Sequence, residues 1–223
     1  MSPVKALIFD LDGVLVDTAK FHFLAWREMA NVLGFDFDEH QNEALKGLSR
    51  AESMTKILSW GNVSLTQAEV LHYMQQKNEW YLSYVDKLTP KDALPGAENF
   101  LRHCKSHGFP LGLGSASKNA RTILDKLGLT PLFDAIIDGT IATLSKPNPQ
   151  VFLKGAEALH TPPKNCLVFE DAIAGIQAAH NAEMRAIGIG QPDVLSEAEL
   201  VFPSLNNLDV TTLITQLNEE KHT

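Results

Sequence analysis

The stretch "LIFDLDGVLVDT", residues 7–18, runs from apolar residues into two carboxylates, Asp10 and Asp12, and then into Gly13. A short continuous apolar run is typical of a strand that is buried on both faces of a sheet. Such a strand normally ends in the core or in a turn, so two carboxylates at its end require another explanation. We therefore interpret this stretch as the first strand of a parallel sheet with a candidate site at its end.

Apolar runs of the same kind alternate with helical patterns along most of the chain. The predicted strands cover residues 6–10, 110–115, 134–138, 166–171 and 185–190, and the predicted helices among them cover about 96–107, 117–127, 149–159, 172–182 and 207–219. Nearly continuous apolar strands separated by helices predict a parallel sheet covered on both faces. The predicted fold class is α/β, with a doubly wound parallel-sheet (Rossmann-like) core.

Residues 18–89 interrupt this alternation, because they contain helical patterns and no convincing strand. The longest helical pattern covers about 66–86. We interpret the segment as an inserted all-helical cap domain. The expected domains are therefore a core of residues 1–17 and 90–223 and a cap of residues 18–89.

The composition argues against several classes of function. The net charge of the 223 residues is −8 and no basic run occurs, which disfavours nucleic-acid binding driven by phosphate neutralisation. The two cysteines, Cys104 and Cys166, lack metal-ligand spacing, so we expect no disulfide and a cytoplasmic location. We also expect no signal peptide and no membrane partner, because no segment has the apolar length that spans a bilayer.

Polar residues follow the predicted strands at the edge where an open parallel sheet binds ligands. They are Asp10 and Asp12 after the first strand, Ser115–Asn119 ("SASKN") after the second, Lys146 after the third, and Glu170 and Asp171 after the fourth. Clustered carboxylates repel one another unless a cation lies among them, and Mg²⁺ suits oxygen ligands. A lysine beside hydroxyls and free amides at a helix N-terminus can hold phosphate.

Together these groups predict phosphoryl transfer, which depends on positioning and charge neutralisation. Asp10 is the expected nucleophile, and it would form an aspartyl-phosphate. Asp12 is the expected general acid and base for the leaving and accepting oxygens. Gly13 would let the chain turn so that both carboxylates point inward.

Each group also has a purely structural interpretation. Aspartates after a strand often lie in turns, and Ser115 and Ser117 could cap a helix. Lys146 could lie in a solvated loop, and Glu170 and Asp171 could be acidic residues that a helix dipole favours. The catalytic interpretation is preferred because all four groups follow strand ends in chain order.

With these motifs the chain resembles the haloacid dehalogenase superfamily, in its helical-cap subgroup. The motifs are "DLDGV" at residues 10–14, the serine Ser115, the lysine Lys146 and the acidic pair Glu170–Asp171. The resemblance covers essentially the whole chain. It implies catalysis by Asp10, Asp12, Ser115 and Lys146, and a Mg²⁺ ion bound by Asp10, the Asp12 backbone carbonyl, Glu170 and Asp171.

Within that superfamily the chain is similar to sugar-phosphate mutases that convert β-D-glucose 1-phosphate to glucose 6-phosphate through a glucose 1,6-bisphosphate. The similar stretches are "SASKN" at 115–119, "KGLSR" at 46–50, "QKNEWY" with Lys77 and Asn78, and the histidine His22. The resemblance implies that the substrate is bound by His22, Gly47, Ser49, Arg50, Lys77, Asn78, Ser115, Ala116, Ser117, Lys118 and Asn119.

Helical spacing supports one of these assignments. If Val70, Met74, Tyr81 and Val85 form the buried stripe of a helix, Lys77 lies in the middle of that stripe. A lysine there must either extend its ammonium to solvent along its aliphatic stem or reach a buried anion.

For Arg50 and His22 the sequence leaves both a substrate-binding role and a purely structural role open. Arg50 follows Gly47 and Ser49 in a predicted loop, and its planar fork suits bidentate phosphate binding. A surface arginine at a helix start is ordinarily the preferred interpretation of such a residue. His22 lies near the edge of an apolar helix face and could be a half-buried packing residue.

The preferred function is a Mg²⁺-dependent mutase that acts on a small-molecule sugar phosphate. A sugar-phosphate phosphatase would form the same aspartyl-phosphate and differ only in the acceptor, so spacing alone leaves it open. A non-catalytic sugar-phosphate-binding protein should lack the nucleophile or the lysine, and a dehalogenase would not need the pair at 170–171. We expect a monomer, because the cap provides its own cover for the site.

Overall fold

A computed structural model describes residues 3–45 and 47–219. Within this part of the chain, six parallel strands form one sheet in the order β3-β2-β1-β4-β5-β6. The strands are β1 (Ala6–Phe9), β2 (Leu111–Gly114), β3 (Ala135–Ile137), β4 (Cys166–Glu170), β5 (Arg185–Ile189) and β6 (Leu200–Phe202). The predicted parallel α/β class is therefore confirmed.

Helices follow β1 in series and then alternate with the strands. The helices are α1 (Ala19–Val32), α2 (Glu39–Glu43), α3 (Arg50–Trp60), α4 (Gln67–Val85), α5 (Ala97–Ser106), α6 (Ala120–Leu127), α7 (Gln150–Ala158), α8 (Ile173–Asn181) and α9 (Val210–Glu219). No helix among the described residues is long and apolar enough to cross a membrane.

The apolar residues of β1 point alternately to the two faces of the sheet. Leu7 and Phe9 belong to a buried cluster that includes residues of α5, α6 and α9. Ala6 and Ile8 belong to a second buried cluster with residues of α7 and α8. The continuous apolar run thus reflects a strand covered by helices on both faces, which makes it the rigid centre of the fold.

Helices α1, α3 and α4 and the loops between them build an apolar core of their own beside the sheet. Trp26, Met29, Phe37, Met54 and Ile57 form this cluster, and α1 packs against α4. This arrangement confirms an all-helical cap inserted after β1. The exact boundaries proposed for it, residues 18–89, stay a prediction.

Two cap helices begin with the same local motif. Ser49 before α3 and Thr66 before α4 each accept the backbone N–H of a glutamate three residues later, Glu52 and Glu69. Each glutamate carboxylate accepts the backbone N–H of its capping residue in return, which is a capping box. The structure therefore corrects the position predicted for Arg50: it is the first residue of α3 and does not lie in a loop.

The sixth strand, β6, was not predicted from the sequence. It has three half-buried residues at the edge of the sheet and pairs only along β5, with Phe202 opposite Ile189. A strand of this length has too few residues to display a hydrophobic period. The five predicted strands all exist within two residues of their predicted bounds.

The strand order decides which loops meet. β1 lies between β2 and β4, and the chain fills one side of β1 before it crosses to the other. The carboxyl ends of β1 and β4 therefore border a topological switch point, where open α/β sheets bind ligands. The polar residues that follow β1, β2 and β4 are brought to neighbouring positions at this edge.

Candidate active site

A cavity of about 530 Å³ lies between the cap helices and the carboxyl edge of the sheet. Every site residue singled out from the sequence lines it: Asp10, Asp12, His22, Gly47, Ser49, Arg50, Lys77, Asn78, Ser115, Ala116, Ser117, Lys118, Asn119, Lys146, Glu170 and Asp171. Lys46, the first residue of the "KGLSR" stretch, lies outside the described residues. The fold thus brings both predicted groups of residues, from the core and from the cap, to one cavity.

Lys146 lies between two carboxylates at the base of the cavity. Its Nζ is 2.6 Å from Asp10 Oδ1 and also donates to Glu170 Oε1. Glu170 Oε2 accepts the backbone N–H of Ala172 at 2.9 Å, at the start of α8. Lys146, Asp10 and Glu170 are all buried, so the loop after β3 contributes the cation of a buried ion-pair network whose carboxylates lie at the ends of β1 and β4.

The charges at the base of the cavity favour an additional cation. Burial raises the pKa of Asp10 well above its usual range; Lys146 opposes this rise, whereas Glu170 and Asp171 add to it. One carboxylate oxygen from each of Asp10, Glu170 and Asp171 lies within 4.8 Å of the others. Burial alone would lower the pKa of Lys146, but Asp10 and Glu170 raise it, so the lysine is a permanent cation there. These three carboxylates can hold a metal ion.

Two glycines make room for these carboxylates. Gly13 has a φ of +79°, and a Cβ atom on it would lie 2.1 Å from Asp171 Oδ2. A Cβ atom on Gly175 in α8 would lie 1.9 Å from the Glu170 carboxylate. The turn function predicted for Gly13 is therefore accompanied by close packing on Asp171. Gly175 was not singled out from the sequence, because an isolated glycine in a helix carries no positional signal by itself.

The Asp12 carboxylate is held by a buried pair of hydroxyls. Thr18 Oγ1 donates to Asp12 Oδ1, and the Tyr81 hydroxyl donates to Thr18 Oγ1 at 3.1 Å. Burial raises the pKa of Asp12, and the hydrogen bond from Thr18 partly offsets that rise. A carboxyl group in this environment is suited to give up and regain a proton. Sequence reasoning did not assign Thr18 and Tyr81 to the site, because 63 residues separate them.

Lys77 is buried in the roof of the cavity, with 2% of its surface exposed. Its Nζ lies 2.9 Å from His22 Nδ1 and 4.3 Å from the centre of the Trp26 ring. Tyr81 and Val85 on the same helix are buried as well, whereas Val70 and Met74 are half-buried. Lys77 therefore belongs to the buried part of the predicted stripe. Burial, followed by the charge of Arg50, lowers the pKa of Lys77 well below its usual range.

His22 is a partner of Lys77 rather than a packing residue alone. Burial lowers its pKa well below the usual value, and the charges of Lys77 and Arg50 lower it further. The imidazole is therefore neutral and can accept a hydrogen bond from the Lys77 ammonium. The ring also packs on Tyr81, with the ring centres 4.2 Å apart.

Asn78 joins the cap to the loop after β2. Its Oδ1 accepts hydrogen bonds from Arg50 Nη2 at 2.7 Å and from Asn119 Nδ2 at 2.9 Å. The loop itself is ordered by its own serines, since Ser115 Oγ accepts the Ser117 N–H and Ser117 Oγ accepts the Asn119 N–H. The side-chain amides of Asn78 in the cap and Asn119 in the core thus lie on the same side of the cavity as the Arg50 guanidinium.

The chain belongs to the haloacid dehalogenase-like hydrolase family, because the model of that family matches residues 4–183. This finding confirms the resemblance inferred from the four motifs. The chain is 42% identical over 212 residues to the beta-phosphoglucomutase of Bacillus subtilis. The aligned region covers 94% of each protein.

Two further relatives illustrate the range of the family. The crystal structure of a beta-phosphoglucomutase from Clostridium difficile superimposes with a TM-score of 0.94 and 42% identity, covering 99% of this chain and 100% of that chain. The fructose-1-phosphate phosphatase YqaB of Escherichia coli is 33% identical over 189 residues, 82% of this chain and 95% of that protein. The relatives therefore include mutases and a phosphatase.

Proposed function

We propose that this protein is a metal-dependent phosphosugar mutase, which interconverts β-D-glucose 1-phosphate and glucose 6-phosphate through a glucose 1,6-bisphosphate. One observation carries the proposal: two cationic groups, Lys146 at the base and Arg50 with Lys77 in the cap, line the same cavity. A hydrolase needs to hold one phosphate, whereas a mutase must hold both phosphates of a bisphosphate. The 42% identity to a beta-phosphoglucomutase supports this choice of substrate.

Asp10 is the proposed nucleophile. Its carboxylate oxygen attacks the phosphorus atom, a new P–O bond forms, and the bond from phosphorus to the sugar oxygen breaks. Lys146, which donates to Asp10 Oδ1, neutralises charge on the phosphoryl group as it arrives. Ser115 is buried at the end of β2 and is proposed to donate a hydrogen bond to the same phosphoryl group.

Asp12 is the proposed general acid and base. It gives its proton to the sugar oxygen that leaves and takes a proton from the hydroxyl that next attacks the aspartyl-phosphate. The hydrogen bond from Thr18 fixes the orientation of this carboxylate. The raised pKa of Asp12 supports the acid form in the first step.

We propose Mg²⁺ as the metal ion. Its proposed ligands are the Asp10 carboxylate, the Asp12 backbone carbonyl, Glu170 and Asp171, and oxygen-only donors of this kind suit a hard cation. Bound there, Mg²⁺ would supply neutralisation of the negative charge on the transferred phosphoryl group. The three carboxylates of Asp10, Glu170 and Asp171 exceed the single positive charge of Lys146, which supports the fit.

The cap is proposed to hold the phosphate that is not reacting. Arg50, Asn78 and Asn119 converge on one side of the cavity. Ser117 and Lys118 lie in the same loop as Asn119, after β2, and also line the cavity. The bisphosphate intermediate must dissociate from these residues and bind again with its two phosphates in exchanged positions. A closed cap also excludes water, which would otherwise hydrolyse the aspartyl-phosphate.

The remaining proposals concern partners and location. We propose a monomer in the cytoplasm with a sugar phosphate as its partner and without nucleic-acid or membrane partners. The net charge of −8 supports the exclusion of nucleic acid. The cap, which covers the cavity within one chain, supports a monomer.

A single assay tests the proposed function. Purified protein receives Mg²⁺, β-D-glucose 1-phosphate and a trace of the 1,6-bisphosphate, and glucose 6-phosphate and free phosphate are measured in the same tube. We expect rapid formation of glucose 6-phosphate with little free phosphate, and loss of both products in the Asp10→Asn variant. Free phosphate without isomerised sugar would establish instead a phosphatase, which the 33% identity to a fructose-1-phosphate phosphatase makes the second candidate.

A further inference from the structure

A hydrogen-bond cluster at the rim of the cavity joins the cap to the core. It contains Ser49 and two residues without a role so far, Ser145 and Glu52. Ser145 Oγ accepts the Ser49 N–H at 3.0 Å and donates to Glu52 Oε2. The same Glu52 oxygen accepts the Ser49 N–H at 3.0 Å and the Ser49 hydroxyl at 2.6 Å. The single hydroxyl of Ser145 is therefore used both as donor and as acceptor toward the cap.

The cluster lies directly beside the two cations of the proposed phosphate sites. Ser145 precedes Lys146, and Ser49 precedes Arg50. Because Arg50 is the first residue of α3 and Ser49 caps that helix, Ser49 and Arg50 move with the helix as a unit. A bond between Ser145 and Ser49 thus couples the position of Lys146 to the position of Arg50.

The neighbouring backbone packs in the same place. Gly47 has a φ of +78°, and a Cβ atom on it would be 3.8 Å from the Lys146 Cβ and 3.5 Å from the Ala174 Cβ. Gly47 therefore lies close to the loop of Lys146 and to the start of α8. The hydrogen bonds of Ser145 and this close approach join cap and core along this part of the rim.

Glu52 has a partner that helix capping does not require. Glu69, at the equivalent position of α4, accepts the N–H and the hydroxyl of Thr66 in its own turn. Glu52 makes the same two bonds and in addition accepts from Ser145, which is 93 residues away. Burial would raise the pKa of Glu52, but the hydrogen bonds from Ser145 and Ser49 lower it, so the acceptor is an ionised carboxylate.

We propose that Ser145, Ser49 and Glu52 form a latch between cap and core that sets the separation of Lys146 and Arg50. The latch defines the span of the bisphosphate that the closed cavity accepts and limits the access of water to the phosphorylated Asp10. Ser145 and Glu52 are positioning residues, since they act through Lys146 and Arg50. The part of this proposal that concerns the bisphosphate rests on the proposed function; the link between cap and core does not.

Three variants and one matched control separate the latch from helix capping. Ser145→Ala removes both bonds to the cap, whereas Ser145→Thr keeps the hydroxyl. Glu52→Gln preserves the capping box, which glutamine also forms, and weakens the charge-assisted bond from Ser145. Glu69→Gln makes the same change in the capping box of α4 and serves as the matched control.

The first readout is the ratio of free phosphate to glucose 6-phosphate. We expect this ratio to rise on the order of 10-fold in Ser145→Ala and a few-fold in Glu52→Gln, as for loss of hydrogen bonds to a charged partner. Ser145→Thr and Glu69→Gln should match the wild type. Single-turnover phosphorylation of Asp10 should persist in all variants, because Lys146 and Asp10 are intact. If the ratio of free phosphate to glucose 6-phosphate is unchanged in both Ser145→Ala and Glu52→Gln, the latch does not limit the access of water to the phosphorylated Asp10.

The second readout does not depend on activity. Spin labels on the exposed residues Ser59 of α3 and Glu157 of α7 report the distance between cap and core. We expect Ser145→Ala to add a population at longer distance that Glu69→Gln lacks. If the wild type forms no glucose 6-phosphate, the proposed function fails and this distance alone decides the latch. If the distances of Ser145→Ala and wild type coincide, the latch is refuted whatever the enzyme catalyses.

Discussion

Lys146 and Lys77 are both buried and line the same cavity, yet their ammonium groups have opposite surroundings. Lys146 contacts the carboxylates of Asp10 and Glu170, which raise its pKa against the effect of burial. Lys77 contacts His22 and the rings of two aromatic residues, and burial lowers its pKa. The protein thus neutralises the charge of the first lysine and leaves that of the second largely uncompensated.

This difference separates the two halves of the site. Among the described residues, the core half of the site has more carboxylates than cations, so it gains stability from a metal ion. Within the same part of the chain, the cap half has more cations than carboxylates, so it gains stability from an anion such as a phosphate. A sugar bisphosphate and a metal ion together would balance both halves. The comparison therefore predicts opposite responses to equivalent substitutions in the core and in the cap.

Replacement of Lys146 is expected to have the largest effect. Lys146→Ala leaves Asp10 and Glu170 buried without their cation, and breaking such a pair costs about 3–5 kcal/mol of folding free energy. Denaturant unfolding in the presence of EDTA measures this loss, and the mutase assay should show no turnover. A Lys126→Ala variant, which removes a half-exposed ion pair with Asp86, is the control and should lose no more than about 1 kcal/mol. Equal stability of the two variants would contradict the role assigned to Lys146.

Metal binding is expected to have the next largest effect. Mg²⁺ at 100 times its dissociation constant should raise the free energy of unfolding by about 2.7 kcal/mol. The gain should shrink as the pH falls, because the raised pKa of Asp10 lets protons compete with the metal at the carboxylates. Thermal unfolding with Mg²⁺ and with EDTA checks this, and Asp171→Asn should reduce the difference. A Tm that does not respond to Mg²⁺ would contradict the metal site.

Replacement of Lys77 should change stability in the opposite direction from Lys146→Ala. Lys77→Met fills a similar volume without the buried charge, so it should be neutral or stabilise the protein by on the order of 1–2 kcal/mol. The same variant should bind the bisphosphate more weakly, by on the order of 10-fold. Denaturant unfolding and KM measure the two effects separately. Destabilisation as large as that of Lys146→Ala would show that the charge of Lys77 is compensated within the protein.

Replacement of Arg50 tests the cap without removing a buried charge. Arg50→Ala should raise KM for the bisphosphate by on the order of 10-fold and leave single-turnover phosphorylation of Asp10 possible. Its stability should stay close to that of the wild type, because the Arg50 side chain is only partly buried. Arg50→Lys should recover part of the affinity because it keeps the positive charge. The recovery should be incomplete because a lysine lacks the planar fork that binds phosphate through two hydrogen bonds. Unchanged mutase kinetics in Arg50→Ala would remove Arg50 from the proposed site.

The pH dependence of stability gives the smallest and most specific difference. Lys77 has a folded-state pKa below its unfolded value of 10.5, so its contribution to stability is complete above pH 10.5 and is lost as the pH falls through the folded pKa. Wild-type stability should thus rise with pH toward 10.5, by at most about 1.4 kcal/mol per pH unit. In Lys77→Met, the free energy of unfolding should lack the part of this rise with pH that Lys77 causes. Lys146, whose pKa is raised, contributes fully below 10.5 and loses its contribution only above it. Equal slopes in wild type and Lys77→Met just below pH 10.5 would contradict the lowered pKa of Lys77.

Much of the fold could be predicted because its signals are local. Each core strand is a short apolar run, and each helix of the core has its own period, so element type followed from neighbouring residues. The strand β6 was missed because its three residues show no period. Arg50 was placed in a loop because its flanking residues, Gly47 and Ser49, are typical of turns, although Ser49 is a helix cap.

The site was predicted in part for the same reason. Asp10, Lys146 and Asp171 belong to short motifs at strand ends, and the parallel topology brings strand ends to one edge. The contacts of Tyr81 with Thr18 and of Ser145 with Glu52 join residues 63 and 93 positions apart. Nothing in the local pattern of either residue marks its partner, because a serine or a tyrosine serves equally well on a surface.

The sequence by itself determined the class of fold, the order of the proposed catalytic groups and the chemistry proposed for them. Those properties depend on residue type and on periods of two to four residues, which a chain displays before it folds. Only the tertiary structure decided which charges are compensated, because the burial and separation of Lys146, Lys77 and their neighbours arise when cap and core pack together. Electrostatic energies depend on those distances and on the exclusion of water, so the difference between the two lysines exists only in the folded protein.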